Sequence, residues 1–280
     1  MKKILVPTDF SECAKNAGDV ALQIAKKMKA EIHFLHYTSI PIDWVNMNDP
    51  KKMYPDVTKK VKQLEDELNG FVRLCEREGL SASFYIGYNE SYQNIIDHIR
   101  IHKIDLVVMG SHGTSGFKET IIGSNAQRII RLSTAPVIVV KPDTTAFNPT
   151  VMTIVSSFPS VHEKMEAGNI EAFAQLLNLA KEMKLTVRLL FINTPGVFTT
   201  SKALNQRITP YLELLKDEKY TVINAANLED GINHYLEEHE EVLISMITHG
   251  ETGLTRIIRG SQAESVVNHI SNMILITKIQ

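Results

Sequence analysis

The sequence predicts an α/β protein built from two tandem open parallel five-stranded sheets, with helices on both faces of each sheet. Short apolar runs alternate with longer segments whose apolar residues recur at helical spacing. The short runs are nearly continuous, as expected for strands buried on both faces. The same succession of elements starts again near residue 150. Strands that alternate with helices in this way indicate parallel sheets.

The first half contains five strand patterns and four helix patterns. The strands are predicted in KKILVPT, EIHFLHYT, SASFYIG, IDLVVMG and PVIVVK, and the helices in SECAKNAGDVALQIAKKMKA, VTKKVKQLEDELNGFVRLCEREG, SYQNIIDHIRIHK and SNAQRIIRLS. A long segment, residues 40–56, holds the single tryptophan and is either a lid or a surface excursion.

The second half repeats the first. Its elements run from VMTIVSS to NMILITKIQ, and five residues of the glycine-rich segment have counterparts at a constant offset of 137: His112/His249, Gly113/Gly250, Gly116/Gly253, Gly123/Gly260 and Ser124/Ser261. This internal duplication predicts two similar domains, residues 1–141 and 150–280, joined by a linker at 142–149.

Composition excludes several classes of protein. A formal net charge of −2 over 280 residues provides no overall attraction to nucleic acid or to an anionic membrane. No apolar run reaches the length of a membrane helix, and Pro7 and Asp9 interrupt the first one too early for a signal peptide. The two cysteines, Cys13 and Cys75, lack metal or redox spacing, so free thiols and a cytoplasmic location are expected.

The segment GSHGTSGFKETIIGSN, residues 110–125, is the candidate site. It follows the fourth strand of the first half, and ligands of open parallel sheets bind beyond the carboxyl ends of the strands. Ser124 is predicted to cap the next helix, whose N-terminal N–H groups attract anions such as phosphate. A glycine-rich turn that only links a strand to a helix is the alternative. Three glycines and a hydroxyl at this end of the sheet favour phosphate binding.

The spacing of this segment differs from that of common phosphate loops. It contains neither G-x-x-x-x-G-K-[ST] nor G-x-G-x-x-G. It matches G-x2-G-x9-G-[ST], with Gly110, Gly113, Gly123 and Ser124 at the fixed positions. The chain resembles the universal stress protein family, in a tandem two-domain form. The resemblance depends on this motif and on the segments KKILVPTDFSECAKNA, EIHFLHYTS, YIGYNESYQNII and STAPVIVVK.

The resemblance implies a strand order of 3-2-1-4-5 and an adenine nucleotide alpha hydrolase-like fold. It also implies that the chain binds ATP, ADP or AMP, with or without a Mg²⁺ ion. Carried over by position, Asp9 matches an acidic residue near the ribose and the metal, and Tyr37 the residue whose backbone meets the adenine. The positions that match a ribose or phosphate contact are Gly110, Gly113, Gly123, Ser124 and Asn125.

Three functions remain open at this point. The resemblance implies a regulator or sensor in the stress response that binds a nucleotide. A weak ATPase is the second, since Asp9 could hold Mg²⁺, although no activating lysine or synthetase motif is present. The third is an interaction protein that binds no nucleotide. The intact motif of the first half argues against this third function.

The two halves differ at the candidate site. Ile247 replaces Gly110, and VSSFPS, aligned with VPTDFS, offers no carboxylate in place of Asp9. The first half is therefore expected to bind one nucleotide, with the second as its packing partner. PVIVVK and MILITKIQ are both apolar edge strands, so they are expected to pair and form an intrachain pseudo-dimer; a further homodimer is possible.

His98 and His102 lie four residues apart on one predicted helix, with Asp97 beside them. Two imidazoles on one helix face can bind a metal, but the sequence offers neither an H-E-x-x-H motif nor an obvious third ligand. A solvated helix face is the interpretation that the sequence favours.

Overall fold

The computed structural model describes residues 2–44, 49–89, 92–111, 123–158, 166–217, 219–248 and 270–279. Its strands are β1 (Lys3–Pro7), β2 (Glu31–Thr38), β3 (Ala82–Tyr88), β4 (Leu106–Gly110), β5 (Val137–Val140), β6 (Val151–Val155), β7 (Thr186–Asn193), β8 (Thr221–Asn224), β9 (Val242–Thr248) and β10 (Ile274–Lys278). Its helices are α1 (Glu12–Met28), α2 (Pro50–Met53), α3 (Pro55–Arg77), α4 (Tyr92–His102), α5 (Ser124–Leu132), α6 (Glu166–Met183), α7 (Ser201–Leu215) and α8 (Leu228–Glu238).

The strands form a single sheet in the order β3-β2-β1-β4-β5-β10-β9-β6-β7-β8. Within each half all strand pairs are parallel, and each half has the order 3-2-1-4-5. The predicted α/β class and strand order are therefore confirmed. The order reads the same from both edges, as a pseudo-two-fold axis at the centre of the sheet requires.

The two halves meet through the strands that end each repeat. β5 and β10 pair antiparallel, with Leu275 opposite Ile138 and both side chains fully buried. This pairing leaves neither strand as an exposed edge, as expected from their apolar sequences. The chain is thus an intrachain pseudo-dimer in which two five-stranded sheets are continuous.

The central strands of the sheet are more deeply buried than the outer strands, and their sequences differ accordingly. The central strands β4, β5 and β9 are buried over most of their length, and their sequences are continuous apolar runs. The outer strands β3 and β8 are only partly buried, and β8 alternates between half-exposed and exposed positions. Helices α1 and α3 cover one face of the first half and α4 and α5 the other, so its central strands β1 and β4 are covered on both faces.

The linker packs on helix α1. Asn16 Nδ2 donates a hydrogen bond of 2.6 Å to the carbonyl of Pro142, and Gln23 Oε1 accepts one of 2.9 Å from the backbone N–H of Phe147. The ring of Phe147 is 3% exposed, and Lys27 Nζ lies 4.9 Å from its centroid. These contacts fix the path between the halves. In the part of the chain that the structure describes, no helix combines the length and apolarity of a membrane span.

Candidate functional site

The carboxyl ends of β2, β1 and β4 lie side by side in the sheet. Pro7 is in register with Leu35, and Leu5 with both His33 and Val107. Extending this register by two to four residues sets Asp9 beside Tyr37, with Gly110 at the end of the next strand. Three of the residues selected from the sequence therefore meet at one edge of the sheet, where the strand order reverses.

The turn after β1 fixes the direction of Asp9. Phe10 has a φ of 63°, a conformation that is uncommon for an aromatic residue. The turn is held by three hydrogen bonds: Phe10 N–H to Thr8 Oγ1 (3.1 Å), Ser11 N–H to Asp9 Oδ1 (3.0 Å), and Ala14 N–H to Ser11 Oγ (3.2 Å), which caps α1. Asp9 is half-buried, and its carboxylate is held by Ser11 N–H.

Gly110 is required by the packing of α1. A Cβ at this position would lie 2.8 Å from Cys13 Sγ and 3.0 Å from the backbone carbon and oxygen of Cys13. Carbon atoms in contact normally lie about 3.5–4.0 Å apart. The end of β4 and the first turn of α1 can therefore approach this closely only with glycine. The motif resemblance alone did not indicate this structural role.

The two ends of the glycine-rich segment are joined by a hydrogen bond. Gly123 N–H donates to the carbonyl of Ser111 at 2.9 Å, which brings the start of α5 to the carboxyl end of β4. Residues 112–122, with Gly113 among them, lie outside the described residues. The nine-residue helix α5 directs its N-terminus toward this edge of the sheet.

The predicted cap of α5 was wrong by one residue. Gly123 is the N-cap, its carbonyl accepts from Gln127 N–H at 3.1 Å, and Ser124 is the first helical residue. Gly123 has a φ of −57°, so its backbone conformation is open to any residue. Asn125, in the first turn, is exposed. A glycine at the N-cap leaves the N–H groups of the first turn without a side-chain cap.

The turn after β6 corrects the alignment of the two halves. Phe158 has a φ of 44°, and its N–H donates to Ser156 Oγ at 3.0 Å, as Phe10 does in the first half. Phe158 is thus the counterpart of Phe10, and the counterpart of Asp9 is Ser157, whereas the sequence alignment had set Phe158 opposite Asp9. The inference that no carboxylate replaces Asp9 is unchanged.

The end of β9 differs from the end of β4. Ile154 pairs with Ser245, and this register sets Ile247 at the position equivalent to Gly110. The side chain of Ile247 is half-buried against the core that α6 and α7 share with the sheet. The second half therefore has a branched side chain at the position where the first half has none.

His98 and His102 do not form a solvated helix face. His98 is 9% exposed, and α4 directs both histidines onto the sheet, where they meet His33 of β2 and the ring of Tyr85 of β3. Burial, followed by the neighbouring imidazoles, lowers the pKa of His98 to about 4. The third imidazole was missed because the sequence reading considered only residues near to α4 along the chain. Side chains alternate along β2, so His33 lies on the same face of the sheet as Tyr37, which is the face that α4 must cover. This alternation could have identified His33 from the sequence.

The crevice of the first half has groups that suit a phosphate and a divalent cation. The N-terminus of α5 offers backbone N–H groups that attract a phosphate. Asp9 provides a carboxylate oxygen, the kind of ligand that Mg²⁺ prefers. The residues present therefore fit a Mg²⁺-nucleotide, with Asp9 as the residue that would hold the ion.

Comparisons with known proteins agree with this architecture. The model of the Universal stress protein family matches residues 1–141 and again residues 163–278. Universal stress protein MJ0531 of Methanocaldococcus jannaschii is 30% identical over 149 residues, which is 50% of this chain and 82% of that protein. Universal stress protein YxiE of Bacillus subtilis is 29% identical over 147 residues, 50% of this chain and 98% of that protein.

A solved structure matches almost the whole chain. The crystal structure of a universal stress protein from Archaeoglobus fulgidus has a TM-score of 0.74 at 19% identity, and it covers 99% of this chain and 98% of that chain. This likeness confirms the fold of both halves together. With the family model matched twice in succession, the chain belongs to the universal stress protein family, in its tandem two-domain form.

Proposed function

We propose that the first half binds one adenine nucleotide, ATP or its products ADP and AMP, in the crevice at the carboxyl ends of β2, β1 and β4. The observation that carries the proposal is the convergence of Asp9, Tyr37, Gly110 and the N-terminus of α5 at one edge of the sheet. Ligands of open parallel sheets bind at this edge.

Each residue of the crevice has its own role in the proposed binding of the nucleotide. Asp9 holds Mg²⁺ or the ribose hydroxyls, because its carboxylate is oriented by Ser11 N–H. The backbone at Tyr37 meets the adenine edge. The phosphates lie against the segment bounded by Gly110 and Gly123 and against the first turn of α5, where Ser124 and Asn125 begin the helix; Gly113 belongs to the same cradle.

The second half serves as a packing partner in this proposal. Ile247 takes the place of Gly110, and Ser157 replaces the carboxylate of Asp9. Both changes remove a nucleotide contact, whereas the β5–β10 pairing and the shared core keep the second half in place. The second half therefore stabilises the first without duplicating its site.

The cellular role that fits this arrangement is that of a nucleotide-dependent regulator or sensor in the stress response. Membership of the universal stress protein family supports that role. Slow ATP hydrolysis is a second candidate, favoured only by the oriented carboxylate of Asp9. In the described residues of the crevice no further group is arranged to activate a water.

The test is retention of nucleotide by the gently purified full-length chain. Native mass spectrometry is expected to show one bound adenine nucleotide on the wild-type protein and none on Gly123→Val. The backbone of Gly123 tolerates valine, so this variant should fold, as circular dichroism will check. The matched control is Gly196→Val, in which the added side chain enters open space in the second half.

The outcomes separate the candidate functions. Equal occupancy in Gly123→Val and wild type would contradict the site. If the wild type carries no nucleotide and does not bind added ATP, the result would support the third candidate function, an interaction protein that binds no nucleotide. Conversion of bound ATP to ADP over hours, lost in Asp9→Asn, would support the ATPase.

A further inference from the structure

Three histidines on the α4 side of the first half form a group that the nucleotide crevice does not use. We name His33, His98 and His102 the histidine cluster. One potential ligand nitrogen from each imidazole lies within 4.8 Å of the other two. His98 and His102 come from consecutive turns of α4, and His33 comes from β2, so the cluster joins a helix to the sheet beneath it.

The geometry of the cluster is close to that of a metal site. His33 Nδ1 lies 3.5 Å from His98 Nε2, and the rings of His98 and His102 are stacked with their centroids 4.1 Å apart. Zinc binds imidazole nitrogen at about 2.0–2.1 Å, so ligand nitrogens of a tetrahedral site are separated by roughly 3.4 Å. The His33–His98 pair has nearly this separation. The third nitrogen lies within 4.8 Å of the other two, and the ring of His102 must turn out of its stack on His98 to complete the site.

His33 has a buried nitrogen that faces the carboxylate of Glu31. Its side chain is 2% exposed, and Nε2 lacks a hydrogen-bond partner among the described residues. Glu31 Oε1 lies 3.2 Å from this nitrogen and forms an ion pair with the imidazole only when His33 is protonated. Burying an unsatisfied polar group is unfavourable, and buried polar groups normally have partners. An ion bound at Nδ1 would hold the proton of His33 on Nε2, from which the imidazole can donate to the Glu31 carboxylate.

The charge state of the cluster suits a metal. Burial is the main cause that lowers the pKa of His33 and of His98. Neighbouring imidazoles and the ammonium of Lys3 act in the same direction, and the Glu31 carboxylate opposes the shift in the pKa of His33. Neutral imidazole is the form that binds metal ions. Glu31 provides a nearby negative charge and can orient His33, as carboxylates commonly do behind zinc-binding histidines.

We propose that the histidine cluster binds one Zn²⁺ ion through a nitrogen of each of its three imidazoles, with Glu31 as an orienting carboxylate. His102 is half-buried, which leaves a side open for water as a fourth ligand. The ion links β2 to α4. Since α4 covers the face of the sheet next to Tyr37, the ion stabilises the first half on that face.

The zinc site is separate from the nucleotide crevice. His33 lies five residues before Thr38, the last residue of β2, which is about 16 Å along a strand. The zinc proposal and the nucleotide proposal can therefore be tested separately. A protein that binds no ATP can still bind zinc here, and a protein that binds no zinc can still bind ATP.

The test is a titration of the intact 280-residue chain, without a histidine tag, after removal of metals by chelation. Calorimetry with Zn²⁺ is expected to give one site, and Co²⁺ is expected to give the intense visible absorption of a tetrahedral complex. His98→Gln and His102→Gln should each weaken Zn²⁺ binding at least 100-fold. Glu31→Gln should weaken it roughly 10–100-fold, as a residue that acts through a ligand does.

His234→Gln is the matched control, because His234 lies on α8 with its side chain 60% exposed and has no part in the cluster. Its affinity for Zn²⁺ should equal that of the wild type. Circular dichroism checks that each variant folds, and Glu31→Gln leaves all three imidazoles in place should a histidine variant unfold. Wild-type protein that binds no Zn²⁺ at 100 μM, or cluster variants that bind as tightly as His234→Gln, would overturn the proposal.

Discussion

Replacing Gly110 by alanine is expected to destabilise the first half, although alanine is the smallest possible change. The added Cβ would lie 2.8 Å from Cys13 Sγ and 3.0 Å from the carbonyl carbon and oxygen of the same residue. The thiol can rotate away from the new methyl group. The backbone of Cys13 cannot, because it belongs to the first turn of α1 and Ser11 caps that turn.

The magnitude follows from this overlap. Forcing an extra methyl group into a well-packed core costs typically about 1–3 kcal/mol, and two of the three short contacts here involve backbone atoms. Gly110→Ala should therefore lower the free energy of unfolding by about 1–3 kcal/mol. In a Cys13→Ala background the loss should be smaller but still present, because the contact with the thiol is then absent and the backbone contacts remain.

Urea unfolding followed by circular dichroism measures this effect in the absence of nucleotide. Gly70→Ala is the control, because Gly70 lies inside α3 and its added Cβ would meet no atom within 4 Å. Alanine there should raise stability by about 0.5–1 kcal/mol, the usual difference between the two residues in a helix. A Gly110→Ala variant within 0.5 kcal/mol of the wild type would refute the packing argument.

Three further predictions concern other groups. Tyr235→Phe removes the buried hydrogen bond of 3.1 Å to Thr153 Oγ1 and should lower the free energy of unfolding in urea by about 1–2 kcal/mol. Adding Thr153→Val should recover part of this loss. A double variant that is no more stable than Tyr235→Phe would contradict the prediction. Burial lowers the pKa of Lys141 to about 8, so the unfolded chain binds more protons between pH 8 and 10.5. The wild type should therefore gain about 1 kcal/mol of stability relative to Lys141→Met as the pH rises through this range, and parallel pH profiles would disprove it. Burial raises the pKa of the Cys75 thiol to about 11, so Cys75 should react with a thiol reagent at pH 8 only after unfolding; rapid labelling of the native protein at Cys75 would contradict its burial.

Much of the fold could be predicted because it depends on local patterns. Continuous apolar runs identified the central strands, and the glycine and serine spacing identified the segment at the end of β4. The pairing of β5 with β10 followed from the need to cover two apolar edges. Each of these inferences uses residues close together in sequence or a general requirement of sheets.

The remaining features depend on contacts between distant segments. The clash that makes Gly110 necessary comes from Cys13, nearly a hundred residues earlier, and no local pattern reports it. The third imidazole of the histidine cluster was missed for the same reason, because His33 and α4 meet only once the sheet has formed. The error of one residue in aligning Phe158 arose because the turn is defined by backbone conformation, which the aligned letters do not show.

Calorimetric titration of the intact chain with ATP and Mg²⁺ tests the central claim most directly, namely that only the first half binds a nucleotide. The account predicts one site per chain. Asp9→Asn should weaken binding, and Gly123→Val should weaken it at least tenfold, whereas Ser157→Ala in the second half should leave both affinity and stoichiometry unchanged. Two sites per chain, or one site that survives Gly123→Val at full affinity, would contradict the account.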